Sequence, residues 1–98
     1  MKVMISQPMN GKTEEQIRNE RAELVQKLTE QGLEVVDTIF TDEAPTDSDK
    51  ALFYLSKSIE AISKVDAVIF MPGWENARGC RIEYNVAIEY GKFIKLCR

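Results

Sequence analysis

Histidine is absent from the sequence, and cysteine occurs only twice, at Cys80 and Cys97. With no His and no Cys-x-x-Cys pair there is no recognisable zinc or redox site, and two cysteines are too few for a disulfide framework. Free thiols in a reducing compartment are the expectation, with no metal and no cofactor. Long apolar runs are also missing. The first, Met1 to Ser6, is far too short for a signal peptide, and no later stretch approaches the roughly 18 apolar residues of a membrane helix. A cytoplasmic protein with no membrane partner is expected. Basic residues are not in excess: 13 Lys and Arg against 16 Asp and Glu leave a net charge of -3. That balance carries no electrostatic footprint for a nucleic-acid polymer.

What remains is ordinary globular composition, 44% hydrophobic and 30% charged, too apolar for intrinsic disorder. At 98 residues, one domain over 1–98 is expected, with one core and no appended module.

Residues 2–6 are a short apolar run ended by Gln7-Pro8-Met9-Asn10-Gly11, which reads as a buried strand entering a loop. Thr13 and Gln16 match a capping box. Ile17, Leu24, Val25 and Leu28 then repeat at helical spacing until Gly32, so a first helix is predicted over roughly 13–31. Leu33 to Asp37 is the next strand, and 38–49, with Pro45 and several Asp and Thr, is a loop long enough to act as a lid. Asp47 or Asp49 caps a second helix ending near Lys64, whose Leu52, Leu55, Ile59 and Ile62 form one apolar stripe, with Tyr54, Ser58 and Ala61 on a neighbouring face.

Asp66 to Met71 is continuously apolar after its first residue, as a central parallel strand covered on both faces should be. The turn-rich loop 72–79 follows, then a third helix marked by Ile82, Val86 and Tyr90 and closed by Gly91, and a last strand over 93–97. This alternation implies right-handed crossovers and a three-layer, doubly wound α/β fold of the Rossmann or flavodoxin kind. Its parallel sheet has about four strands in the order 2-1-3-4.

In open parallel sheets, ligands bind beyond the carboxyl ends of the strands at the switch point. The loops at 7–12 and 72–79 follow neighbouring strands there, so a crevice between them is the expected site. Gln7, Pro8, Met9, Asn10 and Gly11 can present backbone N–H groups to a phosphate or sugar, although they match neither a Walker loop nor a Gly-x-Gly-x-x-Gly fingerprint. They equally suit a turn that only directs the chain into the first helix. Beside Gly73, Trp74 can stack on a base or instead cap the core or pack in a subunit interface. Arg78, next to Gly79, can pair with a phosphate or with solvent. Glu83, about one turn into the third helix, is placed to act as a nucleophile at a sugar carbon. Most helical glutamates are solvated surface residues, so the position alone does not assign that role.

Three segments together carry a resemblance: Ile5-Ser6-Gln7-Pro8-Met9-Asn10-Gly11, then Asp66 to Trp74, then Gly79-Cys80-Arg81-Ile82-Glu83 with Ala87. In order and over nearly the whole chain they resemble the nucleoside 2-deoxyribosyltransferase-like superfamily, particularly its small DUF4406-type branch. The resemblance implies that Glu83 attacks C1′ of a deoxyribose, displacing the nucleobase and forming a glycosyl ester that a second base or water resolves. Four positions depart from the pattern of those enzymes. Met4 stands where they keep a tyrosine, Gln7 where they keep a glycine, Ser58 where an aspartate handles the leaving base's proton, and Ala77 where they carry Asp or Ser.

Two readings follow from the resemblance. One is an enzyme acting at an N-glycosidic bond, with Glu83 as nucleophile, Gln7, Asn10 and Gly11 on sugar or phosphate, and Trp74 against the base. The other is a binding module that senses a nucleotide-derived ligand without turnover. In either, the partner is a nucleoside or nucleotide. A homodimer is the expected assembly, since sites in this superfamily are commonly completed across a dimer interface, and Tyr54, Asp49 or a residue of the partner subunit would then replace the missing proton donor. A structural protein with a vestigial pocket is the blander alternative.

Overall fold

A computed structural model describes residues 1–97. In chain order its elements are β1 (Lys2–Ser6), α1 (Glu14–Glu30), β2 (Glu34–Val36), α2 (Lys50–Ile62), β3 (Ala67–Phe70), a short 3-10 turn (Trp74–Asn76), α3 (Arg78–Glu89) and β4 (Phe93–Leu96). The four strands form one parallel sheet in the order β2-β1-β3-β4. This is the expected doubly wound α/β topology.

Local chemistry sets the element boundaries. Thr13 caps α1 by accepting from Gln16 N at 3.1 Å, while the Gln16 side chain accepts from Thr13 N at 2.9 Å, so two otherwise orphaned donors are satisfied. At the other end, Gly32 takes φ +83°, and the Leu33 N–H reaches back to the Leu28 carbonyl at 3.1 Å. That closure requires a left-handed residue, which glycine adopts without a Cβ clash. Of the two capping aspartates considered for α2, Asp49 is the one used, its side chain accepting from Leu52 N at 3.0 Å.

The sheet separates two apolar layers. On one face Met4, Val68 and Phe70 pack with Ala61 and Ile62 at the end of α2, with Val65 just beyond it and with Ala87 of α3. On the other, Val3, Ile5, Ala67 and Ile69 pack against Leu28 of α1. Every residue of β3 is buried, as its unbroken apolar run predicts for a strand covered on both sides. Each fully buried large side chain of this kind contributes about 1.5–3 kcal/mol.

Two helix faces differ from the expected pattern. Leu52 is exposed rather than part of the α2 stripe, and Ala61 is in the core. The first turn of α2 follows an exposed loop, and only its last turn carries fully buried residues. In α3 the buried residues are Cys80, Glu83 and Ala87, whereas Ile82 and Val86 are half-buried and Tyr90 is exposed. The helix is therefore turned so that a glutamate occupies the centre of its inward stripe. Trp74, considered as an interface aromatic, is half-buried, as are Phe53 and Tyr54, while Tyr90 and Phe93 are the aromatics that lie open among the described residues. Among the described residues no helix is long and apolar enough to cross a membrane.

Candidate active site

β1 and β3 lie side by side with Ser6 opposite Phe70, and the chain leaves them toward opposite edges of the sheet, the switch point at whose carboxyl ends open α/β sheets bind their ligands. The two loops there come close together. Gly73 sits at φ +89°, and a Cβ built on it would meet Pro8 Cγ at 3.6 Å. Gly11, at φ +78°, makes the turn closed by the Lys12 N–H on the Met9 carbonyl. Asn10 and Gly11 are exposed, and Pro8 and Met9 half-buried.

Glu83, on α3, reaches the carboxyl end of β1 and is only 7% exposed. Its Oε1 accepts a hydrogen bond from Ser6 Oγ at 2.9 Å. Burial pushes its carboxyl up to about 7, partly offset by the Ser6 hydroxyl and the positive charge of Arg21. Glu83 is the sixth residue of α3, beyond the first turn where the helix dipole is felt, so the dipole adds little to its ionisation. One turn earlier, buried Cys80 has its thiol pushed up by desolvation and by the nearby Glu83 charge, so it stays protonated.

Behind the crevice is a second buried cluster that the sequence reading did not single out. Arg21 Nε donates to Gln7 Oε1 at 2.7 Å and its Nη1 to Thr38 Oγ1 at 3.2 Å. Gln7 Nε2 in turn donates to the Ile17 carbonyl and to Glu20 Oε1, and Thr38 Oγ1 donates to the Ile5 carbonyl. The Gln7 side chain is thus committed inward, toward α1. Arg21 follows Ile17 by four residues and precedes Leu24 by three, a charge in the apolar stripe of an amphipathic helix, and that misplacement is the signal that identifies it. Cys80 and Ala87 do the same for Glu83, since small residues at both neighbouring positions leave a long polar side chain inside.

The other expected residues are dispersed. Trp74 is half-buried, its ring stacked on Tyr84 with centroids 4.7 Å apart and tilted against Phe70 at 5.3 Å. Gly79 faces Leu55 of α2, and Arg78 is exposed at the start of α3. Tyr54 donates its hydroxyl to the Asp42 carbonyl at 2.7 Å, and Asp49 is the α2 cap, so both hold the loop and helix in place. Ala77 caps α3 with no side-chain hydrogen bond. Among the described residues no group of three or more His, Cys, Asp or Glu is arranged to hold a metal ion.

The family model described as "Domain of unknown function (DUF4406)" matches residues 1–96. The chain belongs to this family. The DUF4406 chain is also similar to the solved structure of the Clostridium botulinum CMP N-glycosidase BcmB, with a TM-score of 0.63 and 26% identity over 98% of this chain and 67% of that one. Both matches agree with the nucleoside 2-deoxyribosyltransferase-like superfamily that the residues resemble. A search of curated proteins found no match.

Proposed function

We propose that this DUF4406 protein cleaves, or transfers across, the N-glycosidic bond of a nucleotide or nucleoside, with Glu83 as nucleophile. The observation that carries the reading is the buried Glu83 carboxyl fixed by Ser6 Oγ at 2.9 Å beneath the β1/β3 switch point. Similarity to a CMP N-glycosidase supports nucleotide glycosidic chemistry as its general class.

In the first step the ionised carboxylate attacks C1′. The C1′–N bond breaks, its electron pair leaves with the base, and the base takes up one proton. The resulting glycosyl ester is attacked at C1′ by water, giving the free sugar phosphate, or by a second base, giving the exchanged nucleotide. Glu83 leaves as carboxylate in either case. Asn10 and Gly11 lie on the rim where sugar or phosphate would rest. The proton for the departing base comes from solvent or from a second copy of the chain, because Tyr54 and Asp49 are already engaged within this one.

That engagement also favours a second reading, a module that binds a nucleotide without cleaving it. Incubation with CMP, dCMP and a panel of deoxynucleosides and their 5′-monophosphates, with and without a second free base, separates the two. Chromatographic release or exchange of base that disappears in Glu83→Gln is the expected result. Saturable binding with no release supports the module, and neither binding nor release overturns both.

A further inference from the structure

Among the described residues Glu83 and Arg21 are the two buried charged side chains, 7% and 4% exposed and opposite in sign. No ion pair among those residues joins them. They are connected instead through adjacent residues of one strand end. Side chains alternate across a strand, so Ser6 turns toward α3 and holds Glu83, while Gln7 turns toward α1 and holds Arg21. The two charges therefore sit on opposite faces of the sheet, one residue step apart along its carboxyl edge.

Arg21 cannot discharge itself, because a guanidinium remains protonated in proteins. Its direct partners, Gln7 Oε1 and Thr38 Oγ1, are neutral, and its buried Nη2 has no hydrogen-bond partner among the described residues. A charge held this way needs a compensating charge nearby. The charged groups acting on it are Asp37, Arg18 and Glu83. Asp37 is exposed and already engaged by Arg18 and by the Ile39 N–H, and Arg18 has the same sign as Arg21. Glu83 is the remaining, buried, counter-charge. Seen from Glu83, the acting groups are Ser6 from β1 and Arg21 from α1, with Cys80 beside it on α3.

We propose that Arg21 is a positioning residue for Glu83: anchored by Gln7 and Thr38, its guanidinium is the counter-charge that stabilises the ionised carboxylate from the other side of the sheet. Ser6 orients the carboxylate and Arg21 supplies the field. The meaning of this for catalysis rests on Glu83 being the reacting group, but the effect on Glu83 itself does not.

The test follows the Glu83 side-chain carboxyl by ¹³C NMR across pH, its signal assigned by loss in Glu83→Gln. Arg21→Met is expected to raise the titration midpoint by about one pH unit. Arg21→Lys, which keeps the charge but not the fork, is expected to restore at least half of that displacement. An unmoved midpoint in Arg21→Met, or equal displacement in both variants, overturns the proposal. If Arg21→Met does not fold, the Arg21→Met/Glu83→Gln double variant decides. Recovery of folding once the carboxylate is gone supports charge coupling, and failure of both alike overturns it, leaving Arg21 a packing residue. A displaced midpoint in a protein without glycosidic activity would leave this role standing and count against the function proposed above.

Discussion

Ser6 and Glu83 are 77 positions apart in sequence and meet through a 2.9 Å hydrogen bond between hydroxyl and carboxyl. One is the last residue of the first strand, and the other lies in the second turn of the last helix. Their meeting depends on β3 pairing in register with β1 and on α3 folding back over that pair. Correct assembly of the sheet is thus a condition for orienting the carboxyl, and the site is a property of the whole topology.

Removing the hydroxyl tests this bond. Ser6→Ala withdraws the hydrogen bond that favours the ionised form, so the Glu83 midpoint is expected to rise further above about 7. At pH 8.5 the variant should lose on the order of 1.5–3 kcal/mol, the usual worth of a hydrogen bond to a charged group. NMR titration and urea denaturation check the two halves. An unchanged midpoint would mean that the bond does not act on ionisation.

Glu83 also makes stability depend on pH in an unusual direction. Its folded value, about 7, lies above its ordinary value of 4.5, so between these the native state holds the proton more tightly than the unfolded chain. The stabilisation is full below about 4.5 and is lost as pH rises through 7. The span corresponds to about 3 kcal/mol. Glu83→Gln, neutral at every pH, should therefore gain about that much over the parent between pH 4.5 and pH 8.5. Urea denaturation at the two pH values measures it, and an equal difference at both would refute the assignment.

If Glu83 is the nucleophile, only its ionised form reacts. With a carboxyl at about 7, kcat/KM for base release is expected to fall roughly tenfold per pH unit on the acid side, reaching about 100-fold at pH 5 relative to its alkaline plateau. Arg21→Met should move the whole limb to higher pH without removing the plateau. A profile flat between pH 5 and pH 8 would exclude Glu83 as the titrating nucleophile.

Much of the fold was legible because each boundary has a local cause. The Thr13/Gln16 box opens α1, Gly32 and Gly91 close α1 and α3 at positive φ, and the unbroken apolar β3 requires cover on both faces. The burial of Glu83 was not legible, because apolar periodicity anchored on Ile82, Val86 and Tyr90 turned α3 to a different face from the Cys80, Glu83 and Ala87 stripe that is buried. Arg21, Ser6 and Thr38 were not recognised. Each is a polar residue inside or beside an apolar pattern, and what buries them is contact between elements far apart in sequence. The side-chain commitments of Gln7 and Tyr54 were likewise invisible, since a residue type states what bonds are possible and not which partner takes them, whereas the Asp49 cap was legible from its place just before α2.

Trp74 offers a direct view of ligand entry, because it is the only tryptophan in the chain and stands where β3 opens into the crevice loop. One ring face is taken by Tyr84 at 4.7 Å, so a base can stack only on the other. As a packing residue, Trp74→Ala should cost about 2–4 kcal/mol, and Trp74→Phe less than about 1.5. As a base platform it should report binding without turnover: in Glu83→Gln, expected to bind without reacting, titration with CMP is expected to quench its fluorescence saturably. Loss of stability in Trp74→Ala, with no quenching by CMP up to millimolar concentration, would make the ring a lid on Phe70 and Tyr84 and place the base elsewhere in the crevice.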